Sequence, residues 1–500
     1  MDQCTSDQVE DETDNSQSVN PSTDVTTKLS ATEEKLKHHI LLFSKAVSER
    51  NVTIMIEFRK LMRAFSQQTS FESIWFDESG LERLKIKFQD QIASCLYFQM
   101  YYHYYFESHP ANADVCIWAI TNMGDLFNAF NRSNFYADIS TSWLWSIIDD
   151  FVSLFEALHQ FQNLPDIYSD IAKTAKPMLL LNPLNELMMS SKVLKAIESK
   201  SLTNEVTSSP FIRALGYYSI VGLIRYHTFD GDYTQALNLI DQVSLSIQDQ
   251  KLYSGNVIPC ILVTNFYAAF CLLMSRRYMQ CINVLSDALH FIFDKDFELK
   301  ISKSKCIPYY IRKMCHTLAL VLTIYPIQIN EHILNEMKSV VGSRYNRLQD
   351  GDATAFSEVF LEAVPCCPYN FGDLELAQKT KSKEYRAFLQ EIDEQLCYLR
   401  LRAVLVNYSS ISIQKLSSII HKAEIDTISY LMSWKHKLAL PQCKTNAEMI
   451  KSHLAIDFYI DRQMIHVFHV KPADKYSALL LEQNISIRKL LAERHWKIKI

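Results

Sequence analysis

Nine glycines in 500 residues set the first limit on what this chain folds into. Ordinary composition, at about 7%, would supply roughly 35. Glycine adopts positive φ freely, so tight hairpins and looped active sites draw on it. Proline is scarce too, at 13. So few turn-forming residues favour long helices joined by short connections. The shortage also excludes enzyme classes. The glycines are Gly80, Gly124, Gly216, Gly222, Gly231, Gly255, Gly342, Gly351 and Gly372. No two are separated by a single residue, so the Gly-x-Gly cradle of dinucleotide sites is absent. Gly-Lys-Ser/Thr and Gly-x-Ser-x-Gly are absent as well, which removes P-loop and nucleophile-elbow chemistry.

Charge is unevenly distributed. Residues 1–30 carry Asp2, Asp7, Glu10, Asp11, Glu12, Asp14 and Asp24 against Lys28 alone. With a formal net charge of −5 overall and −6 in this segment, residues 31–500 total +1. The tail lacks aromatic residues and is rich in Ser, Thr, Asp and Gln, the composition of a disordered segment. A nearly neutral body argues against a dedicated nucleic-acid binder, which shows a basic excess. The N-terminus has no apolar core of a secretory signal, so the 12 cysteines read as reduced, buried thiols. The longest apolar stretch, Cys260–Met274, is interrupted by Thr264 and Asn265 and is shorter than the ~20 residues of a membrane span.

Helical periodicity runs from about Leu36. Trp143, Ile147, Phe151, Leu154, Leu158 and Phe161 fall on one helical face. The aromatic run Leu96–Phe106 reads as a packed helix, because no Lys or Arg interleaves as in a base-stacking platform. Asp149 and Asp150 are adjacent, about 100° apart on a helix, and read as solvated surface. An internal repeat spans 211–291. An apolar helix, a turn at Asp230-Gly231-Asp232 and an amphipathic helix with Tyr233, Ala236, Leu237 and Ile240 recur 45 residues later as Tyr278, Cys281, Ile282 and Leu285. This is a tetratricopeptide-like hairpin with long spacers. Further periods cover 311–325, 331–348, 354–363 and 383–407, and Cys366-Cys367 reads as a loop pair without a third metal ligand.

The last hundred residues change character. Ser412 caps a short helix, and a second helix covers about 425–440. Ile456, Phe458 and Ile460 alternate with polar residues, Asp461-Arg462-Gln463 turns, and Met464–Val470 returns as a strand. Helix, helix, hairpin is a winged-helix layout. Residues 473–495 follow as an amphipathic helix bearing Tyr476, Leu480, Ile487 and Leu491. His466 and His469 are three apart on a strand and face opposite sides, so they do not clamp a metal. The second helix carries only Lys435 and Lys437 as full positive charges, too few for groove reading. Lys379, Lys381 and Lys383, or Arg494, Lys497 and Lys499, allow weak phosphate contact at most. The predicted fold class is all-α: a tetratricopeptide-like helical-repeat solenoid, then a winged-helix module with a small β-hairpin and a C-terminal helix. The hairpin's second strand is expected to leave an edge that a partner sheet extends.

An α-solenoid running into a winged helix resembles the PCI proteins of the proteasome lid, the COP9 signalosome and translation initiation factor 3. The segments Trp143–Phe151, Leu215–Arg225, Gly231–Leu237, Arg276–Tyr278, Ala319–Pro326 and Ile456–His466 are similar, in order and spacing, to the subunit-L family of eukaryotic translation initiation factor 3. This resemblance covers about 71–484. It implies a cytoplasmic, non-catalytic scaffold without cofactor, metal, membrane or small-molecule substrate, supporting small-ribosomal-subunit binding and pre-initiation complex assembly on mRNA. The alternative is a scaffold of the lid or signalosome. The implied organisation is a tail at 1–30, helical repeats at 31–284 and a PCI domain at 285–482. Within that domain the helical part is 285–408 and the winged helix 409–470, and a C-terminal helix occupies 473–500. The implied neighbours are subunits K and E. The candidate interface residues are Ile456, Phe458, Ile460, Met464, Val467, Tyr476, Leu480, Ile487 and Leu491.

Overall fold

A computed structural model describes residues 31–68, 70–88, 90–109, 112–132, 139–162, 178–199, 209–243, 245–293, 306–365, 382–439, 456–469, and Gln483, Ser486 and Arg488. The chain divides into two units, Met1–Asp90 and Gln91–Ile500. The acidic tail, the Cys366-Cys367 pair and Tyr476, Leu480, Ile487 and Leu491 lie outside the described residues.

In the first unit, α1 (Ala31–Ser48) and α2 (Val52–Gln68) pair through the stacked rings of Phe43 and Phe58, 4.6 Å apart. The short α3 (Phe71–Ile74) and α4 (Glu78–Arg83) follow. Asp77 caps α4 by accepting from the Gly80 amide at 2.8 Å. Arg83 pairs with Glu33 at 2.8 Å.

The second unit opens with α5 (Gln91–Ser108), α6 (Ala113–Arg132), α7 (Thr141–Gln162), α8 (Met178–Ser191), α9 (Val193–Ser199) and α10 (Pro210–Asp230). Next come α11 (Tyr233–Gln242), α12 (Ile247–Ser254), α13 (Ile258–Met274), α14 (Tyr278–Ile292) and α15 (Cys306–Ile324). The helical part closes with α16 (Glu331–Val341), α17 (Arg344–Gln349), α18 (Ala353–Ala363) and α19 (Ser382–Leu405). Then β1 (Ser410–Ser412), α20 (Ile413–Ile420), α21 (Glu424–Ala439), β2 (Ile456–Asp461) and β3 (Met464–His469) form the winged helix. The all-α architecture with one small sheet is as the sequence predicts.

The repeat follows the sequence closely. α10 and α13 are buried nearly all round, and the amphipathic α11 and α14 bury Ala236, Leu237 and Ile240, and Tyr278, Cys281, Ile282 and Leu285. The first turn uses Gly231 at φ +84°, and Asp232 caps α11. The second turn places Arg276 at φ +62°, a conformation glycine adopts without strain. Gly216 lies where α10 crosses the end of α8. A Cβ there would sit 2.0 Å from Ser191 Oγ and 2.7 Å from Val193 Cγ2. The period at 331–348 is two helices, because Gly342 at φ +67° ends α16. On α5, Leu96, Tyr97, Met100, Tyr104 and Phe106 are buried, while Phe98, Tyr101, Tyr102 and Tyr105 form a half-exposed row of rings.

One expectation is corrected. Asp149 and Asp150 are not solvated surface. Asp150 is buried and accepts from Gln99 Nε2 and His103 Nδ1, each at 2.9 Å, while Gln99 Oε1 accepts from the Trp143 indole at 3.0 Å. Asp149 bonds Arg225, whose side chain is 1% exposed. Arg225 also donates to Ser153 Oγ at 3.0 Å and to Glu156 at 3.3 Å, and Tyr267 donates to Glu156 at 3.3 Å. Adjacent helix positions point apart, and here each meets a different neighbouring helix. Periodicity did not reveal this because Arg225 is the single charge in the apolar stretch 214–226 of α10, 76 residues away.

Two carboxylates share one guanidinium, so the cluster balances when one proton stays. Burial, only partly offset by Arg225, lifts the Glu156 carboxyl above its ordinary 4.5. Stability from Glu156 is therefore complete below about pH 4.5 and declines as pH rises through its raised folded value. Melting curves of wild type and Glu156→Gln between pH 4.5 and 8 test this: wild type loses stability relative to the variant as pH rises. Gly216→Ala is expected to lower unfolding free energy by about 1–3 kcal/mol, through overpacking against Ser191 and Val193.

Candidate subunit interface

The winged helix has its own core, and α19 supplies a third of it. Cys397, Tyr398, Leu401 and Leu405 meet Ile411, Ile413, Leu416, Leu431, Trp434, Phe458, Ile465 and Val467. Tyr398 stacks on Trp434 at 6.4 Å, and Trp434 leans on Phe458 at 5.5 Å. The N-terminal half of the same helix packs on α18 and on the turn of the second repeat. Phe388 stacks on Phe360 at 4.0 Å. The buried Glu391 accepts from Tyr278 at 2.9 Å and Gln395 at 2.6 Å, and pairs with Arg276 at 2.6 Å. The strained turn of the second repeat is thus tied to the helix that carries the winged helix.

The sheet has three strands in the order β1-β3-β2, all antiparallel. Ser410–Ser412 pairs with Met464–His466, a strand that sequence reading missed because three residues carry no period. Ser412 then caps α20, accepting from Lys415 N at 3.3 Å. The expected edge is corrected accordingly. The hairpin's second strand, β3, is central; β1 and β2 are the outer strands, and among the described residues no strand pairs with the outer side of β2.

That edge is partly closed by side chains. The Val467 amide donates to Ser409 O at 2.9 Å, away from β2. The pair Phe458–Val467 is therefore non-hydrogen-bonded, and Phe458 turns its amide and carbonyl outward. The Phe458 amide donates to Asp457 Oδ1 at 2.8 Å, and its carbonyl accepts from Lys435 Nζ at 2.6 Å. Lys435 and Asp457 lie 3.7 Å apart. Charged side chains on an edge strand hinder unwanted strand pairing. At Ile460, the next outward position, no such cap is present among the described residues.

The candidate residues separate by alternation. Phe458 and Val467 are core, Ile460 is half-buried against it, and Met464 is exposed. For Ile456 only its place at the start of β2 is described. The outer sheet face is made by residues that sequence reasoning passed over. Tyr459 lies flat between His466 at 4.8 Å and Phe468 at 5.3 Å, and Tyr459 and Phe468 are 45% and 51% exposed. The same period-2 pattern that selected the inward residues also marks these as outward. On α21, Ile425 and Met432 are exposed, and Lys435 is spent on β2. This surface suits protein contact better than a DNA groove.

Cysteine chemistry is quiet. Cys95, Cys116, Cys260, Cys271, Cys281, Cys315 and Cys397 are free and buried. Burial pushes the thiols of Cys116 and Cys271 up to about 12. Among the described residues no helix is long and apolar enough to cross a membrane.

Comparison with known proteins decides the family. The profile described as RNA polymerase I-associated factor PAF67 matches residues 117–487. The chain belongs to the PAF67 family. Relatives similar to it carry the name eukaryotic translation initiation factor 3 subunit L. One from Nematostella vectensis is 26% identical over 485 residues, covering 90% of each chain. One from Danio rerio is 27% identical over 434 residues, covering 79% of this chain and 73% of the relative. One from Homo sapiens is 26% identical over 425 residues, covering 79% and 75%. The family match takes in the repeats, α19 and the winged helix together.

Removing the Lys435 ammonium uncovers the outward Phe458 carbonyl. Lys435→Ala is expected to raise concentration-dependent self-association of the free chain, measured by sedimentation velocity. A variant that sediments as wild type does at every concentration contradicts the guarding role.

Proposed function

We propose that the chain is a non-catalytic scaffold subunit of eukaryotic translation initiation factor 3, acting in the cytoplasm to support small-ribosomal-subunit binding and pre-initiation complex assembly on mRNA. The observation that carries this reading is similarity, along up to 90% of the chain, to proteins named subunit L of that factor. The architecture supports it physically. Helical repeats present surface, and a winged helix with an open strand offers β-augmentation. The sequence carries no Gly-x-Gly, Gly-Lys-Ser/Thr or Gly-x-Ser-x-Gly motif.

In this reading residues 285–482 form the PCI domain, with helices at 285–408 and the winged helix at 409–470. Residues 31–284 are the repeat region, and 473–500 a terminal helix. The neighbours are subunits K and E. The hairpin residues Ile456, Phe458, Ile460, Met464 and Val467 build the contact, Phe458 and Val467 by holding the strands in place. Tyr476, Leu480, Ile487 and Leu491 supply a second contact on the terminal helix. Edge pairing starts from the uncapped Ile460 end and displaces Lys435 from Phe458.

An affinity pull-down of the tagged chain from its own cells after nuclease treatment, read by mass spectrometry, tests this. Recovery of factor 3 subunits, with K and E most abundant, is the expected result. Recovery of lid or signalosome subunits, or of no stable partner, contradicts it.

A further inference from the structure

Where the repeats meet the winged helix, a cleft of about 80 Å³ opens between the end of α15 and the helices α19 and α21. It is lined by Ile324, Tyr325 and Pro326, by Gln395, Tyr398, Leu399 and Arg402 of α19, and by Trp434 of α21. At about 10–15 Å³ per water-sized probe, this space suits one side-chain head group. It falls well short of the several hundred Å³ of small-molecule sites.

Arg402 is the unusual member. Its Nε is enclosed and has no hydrogen-bond partner, and among the described residues no carboxylate pairs with its guanidinium. A plain structural explanation is that Arg402 caps the C-terminal end of α15. It makes no hydrogen bond to a carbonyl there. Arg225 and Arg347, by contrast, are paired with carboxylates, Arg225 with Asp149 and Glu156 and Arg347 with Asp352 and Glu358, whereas Arg213 shares the enclosed, unpartnered Nε but does not line the cleft. A half-buried guanidinium beside Tyr, Trp, Leu and Ile side chains, with Gln395 the other polar group of the lining, has an unused donor for an incoming anion. A carboxylate suits that donor, because charge-assisted hydrogen bonds strengthen in apolar surroundings. Arg, Trp and Tyr converging on one small pocket is also the composition of interface hot spots. On α19, Gln395, Leu399, Arg402 and Val406 fall at 0, +4, +7 and +11, one stripe along the helix. Val406, just past the helix end, is exposed.

We propose that this cleft is a docking site for a single Asp or Glu side chain carried by a neighbouring subunit, with Arg402 as its counter-ion. The inference rests on the assembly reading above. Occupying the cleft bridges α15, α19 and α21, so the partner grips the repeats and the winged helix together.

The test uses the full chain co-expressed with its neighbouring subunits, as wild type, Arg402→Met, Arg402→Glu and, as an exposed control on the same helix, Arg400→Glu. The free chain's melting temperature is measured alongside subunit recovery. Arg402→Met is expected to leave the melting temperature unchanged or raised, while lowering recovery of one neighbour at least tenfold. Arg402→Glu abolishes that recovery, and Arg400→Glu stays within twofold of wild type. Arg402→Met that lowers the melting temperature with recovery intact overturns the proposal, since the cation then serves the chain's own fold. Recovery within twofold for both Arg402 variants also overturns it. Wild type that recovers no subunit overturns the assembly reading, and the cleft with it.

Discussion

The geometry of this protein depends on one helix belonging to two cores. The N-terminal half of α19 is held to α18 by Phe388 on Phe360 and to the second repeat by Glu391, which gathers Tyr278 and Arg276 together with Gln395. Its C-terminal half buries Tyr398, Leu401 and Leu405 in the winged helix. A helix is stiff over 24 residues, so the direction in which β2 faces is set by contacts made two or more turns away. Scaffolds need this property. A partner that pairs with a strand edge reads its orientation, and a hinge at this joint would spread the assembly over many angles.

Behind that joint lies a packed interior with few glycines and a small number of buried charges. Gly216 is placed where α10 presses on Ser191 and Val193. Arg225, Asp149, Glu156 and Tyr267 cross-link α7, α10 and α13. Such clusters contribute little net stability compared with apolar packing, yet removing Arg225 leaves the buried carboxylates without their counter-charge, at about 3–5 kcal/mol. They favour one register of helix on helix over its neighbours.

Much of the architecture was legible in the chain. The repeat at 211–291 appeared because Tyr233, Ala236, Leu237 and Ile240 and their counterparts 45 residues on follow one period. The hairpin appeared because Ile456, Phe458 and Ile460 alternate. Features resting on distant partners were not legible. Asp149 and Asp150 look like surface until α10 and α5 are placed beside α7. β1 is too short to show alternation, and its pairing with β3 moves the open edge from the second strand to the first. The Lys435–Asp457 guard joins residues from a helix and a strand, and no local pattern announces it.

Taken together, these features describe a winged-helix edge tied to the preceding helices through α19 and partly capped by Lys435 and Asp457, which in the proposed assembly reading a partner strand extends. Hydrogen–deuterium exchange, comparing the free chain with the chain in its purified complex, tests that most directly. The account predicts new protection over residues 456–461 on assembly, with exchange in α10 and α13 unchanged because those helices are already buried. Equal exchange over 456–461 in both states, with protection appearing only elsewhere, would contradict it.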